Sequence, residues 1–250
     1  MNPDLGIHNS ESRIPDLDLV DLSPFEREGF QVIAPAVSGE ECEVLASELS
    51  SLFDKQKEAS TNRVAGVRNL LRLNASVAEF ARSQRVLRLL ERAASAKPFP
   101  VRAIFFDKNP GANWLVPWHQ DLAIPVVEKI ETPGFTGWSI KDGVQHVHPP
   151  QSILESMITL RLHLDDCSLE NGALKVIPGS HSHGKIALSE IPKMAKFDEV
   201  ICEVPNGGVL LMRPLILHGS LTAHSPLHSR ILHIEYATQP LPNGLQWKEN

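Results

Sequence analysis

The sequence predicts an α+β fold in which helices cover an antiparallel β-sandwich or barrel. Two observations support this prediction. In the first hundred residues, apolar side chains recur with helical spacing, most clearly over residues 38–55 and 76–94. From residue 100 onward, short apolar runs alternate with turn residues, which is typical of many short antiparallel strands.

The composition is that of an ordinary globular chain: of 250 residues, 42% are hydrophobic and 22% are charged. The net charge of -6 argues against nucleic acid or an anionic membrane surface as the main partner. No apolar run approaches the roughly 20 residues of a membrane helix, and the first twelve residues lack the pattern of a signal peptide. The three widely spaced cysteines fit a reducing compartment, so we expect a cytoplasmic protein.

We expect one domain over residues 1–250. Residues 1–22 are polar and are predicted to form a loose N-terminal arm. Residues 25–98 are predicted to form a mostly helical cover, and residues 100–240 the β core. Prolines and glycines are frequent over residues 125–152, which predicts a long irregular loop of the kind that often serves as a lid.

Local signals place several elements within this framework. Ser38 followed by Glu41 predicts a capping box that opens a helix. Residues 157–165 alternate between apolar and polar side chains, which predicts a strand with one polar face. Asn171-Gly172 is a strong turn signal between strands, and residues 230–236 alternate again near the end of the chain.

Three residues predict a metal site. His119 and Asp121 lie two positions apart, directly after a predicted strand, so their side chains point to the same face. A His-x-Asp pair alone is a common surface feature, but His218 lies at the end of a later predicted strand. Two histidines and one carboxylate bind non-haem ferrous iron and leave coordination positions free. The sequence therefore predicts an iron site at His119, Asp121 and His218.

Arg230 predicts a second feature of the same site. It follows His218 by twelve residues and lies in phase with Leu232, Ile234 and Tyr236 on its strand. An unpaired arginine on an apolar face would be costly to bury, so we expect a carboxylate to bind its guanidinium in a bidentate manner. A keto acid that chelates the metal would offer such a carboxylate at its far end.

Four motifs, specific in combination, resemble the phytanoyl-CoA dioxygenase family over about residues 25 to 240. They are Trp118-His119-Gln120-Asp121, Leu164-Asp165-Asp166 with Glu170-Asn171-Gly172-Ala173-Leu174, Val176-Ile177-Pro178-Gly179-Ser180-His181, and Leu217-His218-Gly219-Ser220 with Arg230. The resemblance implies a double-stranded β-helix, the jelly-roll or cupin-like core. It also implies an oxygenase that uses Fe(II), with 2-oxoglutarate and O2 as cosubstrates.

The resemblance further implies roles for single residues. His119, Asp121 and His218 would bind iron. Five residues would contact 2-oxoglutarate, with Arg230 on the distal carboxylate and the others nearby: Arg230, Ser220, Gln120, Trp138 and Lys108.

The reaction that the resemblance implies is decarboxylation of 2-oxoglutarate to succinate and CO2, coupled to hydroxylation of a small molecule. The presence of Asp121 favours hydroxylation, because halogenating relatives lack this carboxylate. No basic cluster suited to the phosphates of an acyl-CoA is evident, so the substrate stays open, as does the oligomeric state.

Several alternatives stay open at this point. His146 and His148 are expected to be solvated or to belong to the lid, and Arg161 and His163 either face the pocket or pair with a nearby carboxylate. In function, the chain is alternatively a catalytically silent jelly-roll protein that binds a ligand. A metal-dependent cupin enzyme without a cosubstrate is a third possibility, although it would leave Arg230 unexplained.

Overall fold

A computed structural model of the protein describes residues 16–59, 66–109, 113–141, 143–223 and 228–249. Within these residues the α-helices are, in chain order, α1 (Ser23–Glu28), α2 (Gly39–Ala59), α3 (Leu70–Leu73), α4 (Ala75–Arg82), α5 (Gln84–Ala93), α6 (Gln151–Ser156) and α7 (Ile191–Met194). The strands are β1 (Phe30–Ile33), β2 (Phe99–Lys108), β3 (Val116–His119), β4 (Ile124–Val126), β5 (Thr136–Lys141), β6 (Val144–His148), β7 (Ile158–His163), β8 (Leu174–Val176), β9 (Val200–Cys202), β10 (Val209–Met212), β11 (His218–Ser220) and β12 (Ser229–Ala237).

Two antiparallel sheets form the core of the fold. The larger has the strand order β1-β10-β7-β12-β2, and the smaller has the order β3-β11-β8-β9. From β7 to β12 the chain passes repeatedly from one sheet to the other, as in a jelly roll. The predicted fold class is therefore confirmed.

The outer face of the larger sheet packs against the helices. Because side chains alternate along a strand, every second residue of β7 and β12 is buried under this cover. The apolar residues that meet there include Leu160 and Leu162 of β7, Leu232 and Ile234 of β12, and Leu49, Val77 and Leu90 of the helices. The other face of the same strands turns towards the smaller sheet, and this alternation decides which residues can reach a site between the sheets.

The start of the described chain differs from the predicted loose arm. Leu17–Leu19 forms a short 3-10 helix, and Leu17 and Leu22 are buried in the main core. The carbonyls of Leu17 and Val20 also accept hydrogen bonds from Arg92 of α5. Apolar side chains among the polar ones thus tie this segment to the helices; residues 1–15 lie outside the described residues.

The prediction of an irregular loop over residues 125–152 is wrong. Three strands form a small antiparallel sheet here with the order β4-β6-β5, and α6 begins directly after it. Pro125 lies in the edge strand β4, where a missing N–H is tolerated, and Gly137 lies at a register shift between β5 and β6. The prolines and glycines therefore mark edges and bulges of a sheet.

The helical predictions agree more closely with the structure. The backbone N–H of Glu41 donates to Ser38 Oγ over 3.2 Å, so Ser38 caps α2 as predicted. The predicted helix over residues 76–94 is divided into α4 and α5, because Ser83 has an extended backbone (φ -62°, ψ 144°). None of the helices in the described residues is long and apolar enough to cross a membrane.

A buried carboxyl group holds the end of the described chain against the core. Glu249 accepts hydrogen bonds from the backbone N–H of Leu71 at 2.9 Å and from that of Ala103 at 3.3 Å. Burial raises the pKa of Glu249 from its ordinary 4.5 to about 7, and the two N–H donors offset only part of this rise. The folded protein therefore binds this proton more tightly than the unfolded chain does.

We expect the contribution of Glu249 to the free energy of unfolding to fall as the pH rises from 4.5 to about 7, because its stabilising proton is lost in this window. Glu249→Gln stays neutral, so its stability relative to wild type should increase across the window by about 1–3 kcal/mol. Urea unfolding at several pH values measures this difference. Exposed Glu131→Gln is the control, and parallel curves for Glu249→Gln and wild type would contradict the assignment.

Candidate active site

The pairing of β3 with β11 brings the predicted metal ligands together. His218 and His119 are direct partners in the antiparallel register of these strands. Gly219, between His218 and Ser220, allows the close approach, because a Cβ atom there would lie 2.9 Å from the carbonyl oxygen of Val116. The glycine of the motif is therefore required by strand packing.

The three predicted ligands converge on one point. The His119 and His218 ring centroids are 4.2 Å apart, and Nε2 of each ring lies 3.7 Å from a different Asp121 carboxylate oxygen. One donor atom from each residue lies within 4.8 Å of the other two. Asp121 is held in place by its backbone N–H, which donates to the Pro214 carbonyl over 2.9 Å.

Both histidines present the same nitrogen to this point. His119 Nδ1 lies 2.8 Å from the carbonyl of Pro117, and His218 Nδ1 lies 2.9 Å from that of Ile216. A carbonyl can only accept, so Nδ1 carries the proton in each ring and Nε2 is left as a lone-pair donor. The backbone thus fixes the tautomer that a metal ligand requires.

The protonation states also suit a cation. Burial lowers the pKa of His218 to about 4, so the ring is neutral at pH 7. Burial alone would raise the pKa of Asp121, but at the acidic pH where this carboxyl titrates His218 is protonated, and its charge helps to bring the pKa down to about 2. A neutral His218 and an ionised Asp121, together with the His119 imidazole, match the donor set of a ferrous facial triad.

The other histidines of the described residues do not join this group. His119, Asp121 and His218 are the one set of three such side chains close enough for a shared ion in that part of the chain. His146 is buried on β6 and makes the same kind of bond, Nδ1 to the Val144 carbonyl over 2.9 Å, yet it lies apart from the cluster. Its local geometry alone is therefore not evidence for metal binding.

A cavity of about 280 Å³ opens on the three ligands, between the two sheets. Residues of β2, β7 and β12 line one wall, and residues of β3, β8 and β11 line the other. Apolar contacts come from residues such as Ile104, Phe106, Leu174 and Ile231. Cations are placed among them: Arg68, Arg102, Lys108 and Arg161 all line the cavity.

Two of the predicted cosubstrate residues lie in this cavity. Lys108 is buried at the end of β2, and its Nζ donates to Ser220 Oγ over 2.7 Å and to the Leu221 carbonyl over 2.9 Å. Burial lowers the pKa of Lys108 to about 8, so its ammonium is still mostly charged at neutral pH. Ser220 follows His218 by two residues on β11, which places this pair close to the metal ligands.

Arg230 lies on the opposite face of β12, outside the cavity. Its Nε and Nη2 donate to the two carboxylate oxygens of Asp165 over 2.8 and 2.6 Å, and its backbone N–H also donates to Asp165. The predicted bidentate carboxylate therefore exists, but it is a side chain of the protein itself. The phase with Leu232 and Ile234 was predicted correctly, but that face packs against the helices, so the role predicted for Arg230 lacks structural support.

Gln120 and Trp138 are also placed away from the cavity. The Gln120 amide donates to the carbonyls of Gly184 and Leu215 and accepts from the Ile186 N–H, so the backbone uses its hydrogen-bonding groups. Its neighbours His119 and Asp121 face the metal site, so alternation turns Gln120 the other way. Trp138 lies on β5, packs against the apolar cluster beside the β4-β6-β5 sheet and does not line the cavity.

Four further residues line the cavity, and the sequence analysis either left their role open or did not predict it. Arg161 of β7 faces the cavity, which decides the open alternative for this residue. Arg102, His233 and Glu235 were not predicted. The alternation of β12 was the pattern that could have revealed them. Ser229, Ile231, His233 and Glu235 share one face of this strand, and two of these side chains are ionisable.

A jelly roll that holds two histidines and one carboxylate between its sheets defines a class of non-haem metalloproteins. The sequence model of the phytanoyl-CoA dioxygenase (PhyH) family matches residues 25–231, and the chain belongs to this family. The predicted resemblance is therefore confirmed.

Individual relatives agree with this family. An ectoine dioxygenase of Nocardia farcinica (strain IFM 10152) is 28% identical over 171 residues, which are 64% of this chain and 50% of that protein. The chain thus spans about half the length of this curated relative.

Solved structures share the fold. EctD from S. alaskensis, crystallised with 2-oxoglutarate and 5-hydroxyectoine, has a TM-score of 0.67 and 17% identity, covering 86% of this chain and 74% of that one. The non-haem alpha ketoglutarate dependent carbocyclase SnoK from nogalamycin biosynthesis has a TM-score of 0.71 and 12% identity, covering 94% and 89%. At these identities the likeness establishes the jelly roll alone.

We expect His218→Ala and Asp121→Ala to weaken binding of Fe(II) or Mn(II) by more than about a hundredfold, because each removes a direct ligand. Anaerobic calorimetric titration measures the affinity. His146→Gln is a matched control, since this histidine has the same local hydrogen bond but lies outside the cluster. Equal losses in all three variants, with folding unchanged, would refute the site.

Proposed function

We propose that the protein is an iron(II)- and 2-oxoglutarate-dependent dioxygenase that hydroxylates a small molecule. The observation that carries this proposal is the convergence of His119, Asp121 and His218 at the mouth of a cavity that also contains a buried lysine. Membership of the phytanoyl-CoA dioxygenase family supports it. Bound iron and 2-oxoglutarate would supply the activation of O2, with succinate and CO2 as co-products.

Within this proposal Lys108 and Ser220 hold the distal carboxylate of 2-oxoglutarate. The acceptors that Lys108 Nζ contacts are the neutral oxygens of Ser220, Leu221 and Gly172, so its charge has no carboxylate partner in the described residues. A buried cation of this kind is stabilised by an anionic ligand. Its position beside Ser220, two residues beyond His218, suits a short keto acid that also reaches the metal.

The remaining residues of the chain prepare the site for chemistry. The Pro117 and Ile216 carbonyls hold the two imidazoles in the tautomer that binds a metal. Asp121 stays ionised and supplies the third ligand, which a hydroxylase retains. Apolar side chains such as Ile104 and Ile231 exclude water from the cavity and so strengthen the electrostatic contacts inside it.

The cavity favours a small substrate. Its volume of about 280 Å³ is at the lower end of the range for ligand pockets, and 2-oxoglutarate would occupy part of it. This volume supports a compact metabolite over a long acyl chain as the molecule that is hydroxylated.

Succinate formation is the direct test of the proposal. Wild-type protein with Fe(II), ascorbate and 2-oxoglutarate should produce succinate, faster when the correct member of a metabolite library is present. His119→Ala and Asp121→Ala should reduce this rate by at least about a hundredfold, since the metal chemistry depends on both ligands. Under argon, the wild-type chelate should give a visible charge-transfer band. Absence of both the band and succinate would favour a silent binding protein.

Lys108 on β2 and Arg230 on β12 allow a direct comparison, because they are cations on neighbouring strands that face opposite sides of the same sheet. Lys108→Met should raise the KM for 2-oxoglutarate by about tenfold or more, because it removes a charged hydrogen-bond donor. Arg230→Gln should leave this KM within about twofold, although it lowers stability by about 1–2 kcal/mol through the loss of its bond to Asp165. Initial rates and urea unfolding separate the two effects, and the reverse pattern in KM would restore the original prediction for Arg230.

A further inference from the structure

The cavity has a second polar end, far from Lys108. On β2, Lys108 and Arg102 lie on the same face six residues apart, so about 20 Å of strand separates them. On β12, Ser229 pairs with Lys108 and Glu235 pairs with Arg102. The two ends therefore offer separate places for charged groups.

A chain of polar contacts crosses this second end. Arg102 Nη1 lies 3.0 Å from Glu235 Oε1, which lies 3.3 Å from His233 Nε2. His233 Nδ1 in turn lies 3.0 Å from Arg161 Nη1. A guanidinium can only donate, so Nδ1 accepts from Arg161 and Nε2–H donates to Glu235. His233 is thus a neutral link that fixes the position of Arg161.

The charge of Arg161 is not balanced by this network. Glu235 forms its ion pair with Arg102, and His233 offers Arg161 a neutral acceptor. The Nε of Arg161 is buried without an acceptor among the described residues. The carboxylate that attracts Arg161 most strongly is that of Asp121, whose charge a bound metal would neutralise. With the metal in place, the buried Nε–H of Arg161 is a cationic donor without an anion among the described residues.

A 2-oxoglutarate that is held by Lys108 and the metal would leave Arg161 without a carboxylate. Arg161 pairs across the strands with His233, four residues along β12 from the partner of Lys108, or about 13 Å away. If the keto acid binds the metal and Lys108, its five-carbon chain is fully used. Arg161 is then left for a second anion.

We propose that the primary substrate carries a carboxylate that binds the Nε–Nη2 edge of Arg161. This inference rests on the proposed function and specifies its substrate class: a small organic acid. The planar fork of a guanidinium matches a carboxylate in a bidentate manner, and Arg102, Glu235 and His233 act as positioning residues behind it.

The test uses the full-length protein with Fe(II) and 2-oxoglutarate under argon. The probes are propionate, pyrrolidine-2-carboxylate and benzoate, each compared with its primary amide, and binding is measured by calorimetry and by the shift of the charge-transfer band. The wild type should bind at least one acid about tenfold or more tightly than its amide. Arg161→Gln should abolish that preference while the affinity for 2-oxoglutarate stays within about twofold. Arg88→Gln, an exposed arginine on α5, should change neither value.

Two further variants guard against a loss of folding. Arg161→Lys should keep part of the preference for acids, because it keeps the charge and loses the fork. His233→Leu should weaken acid binding. His233→Asn should retain most of it, because asparagine still offers an acceptor to Arg161.

Several results would overturn the inference. They are equal affinities for acids and amides across the panel, an acid preference that survives Arg161→Gln, and a loss of 2-oxoglutarate binding in Arg161→Gln. The last result would assign Arg161 to the cosubstrate. A wild-type protein without the charge-transfer band would instead contradict the proposed function, and calorimetry with the acids would still report on Arg161.

Discussion

The pairing of β3 with β11 is the constraint on which the site depends. It places His119 opposite His218, although the two residues are far apart in sequence, and Gly219 allows the backbones to approach. Each imidazole is then oriented by a carbonyl of its own chain segment. Asp121 follows the last residue of β3 by two positions and so joins the two histidines. Sheet formation and assembly of the proposed metal ligands are therefore one event, and a shift of one residue in this register would separate His119 from His218.

The larger sheet separates two environments: one face packs against the helices and the other faces the cavity. One face of β7 and β12 carries leucine and isoleucine under the helical cover, and the other carries the ionisable residues of the cavity. This division explains why two arginines, Arg161 and Arg230, have opposite fates. Arg230 lies on the covered face and pairs with Asp165, whereas Arg161 lies on the cavity face beside His233.

Local and repeated patterns made much of this structure predictable from sequence. Period-two alternation identified β7 and β12, and the order of the motifs identified the jelly roll and the three residues that the structure brings together, His119, Asp121 and His218. The position of Lys108 and Ser220 in the cavity also agrees with the prediction. The wrong prediction was which face of β12 meets the site, because the alternation gives two faces and the face of Arg230 was preferred to the face that carries His233 and Glu235. The prediction for Gln120 lacks support as well, because the alternation that points His119 and Asp121 towards the site points the residue between them away from it. Residues 125–152 were misassigned because prolines and glycines occur at sheet edges and bulges as well as in loops.

The hydrogen bonds of His119 and His218 have a consequence for how the proposed metal site tolerates substitutions. In many metal sites, side chains orient the ligands, so a substitution nearby disturbs the metal. Here main-chain carbonyls perform that task, and no substitution removes a carbonyl. Substitutions in the cavity wall formed by β2, β7 and β12 consequently leave these two hydrogen bonds in place. Changes at wall positions other than Lys108, which the proposed function assigns to 2-oxoglutarate, would therefore alter which substrate fits while both imidazoles keep their orientation.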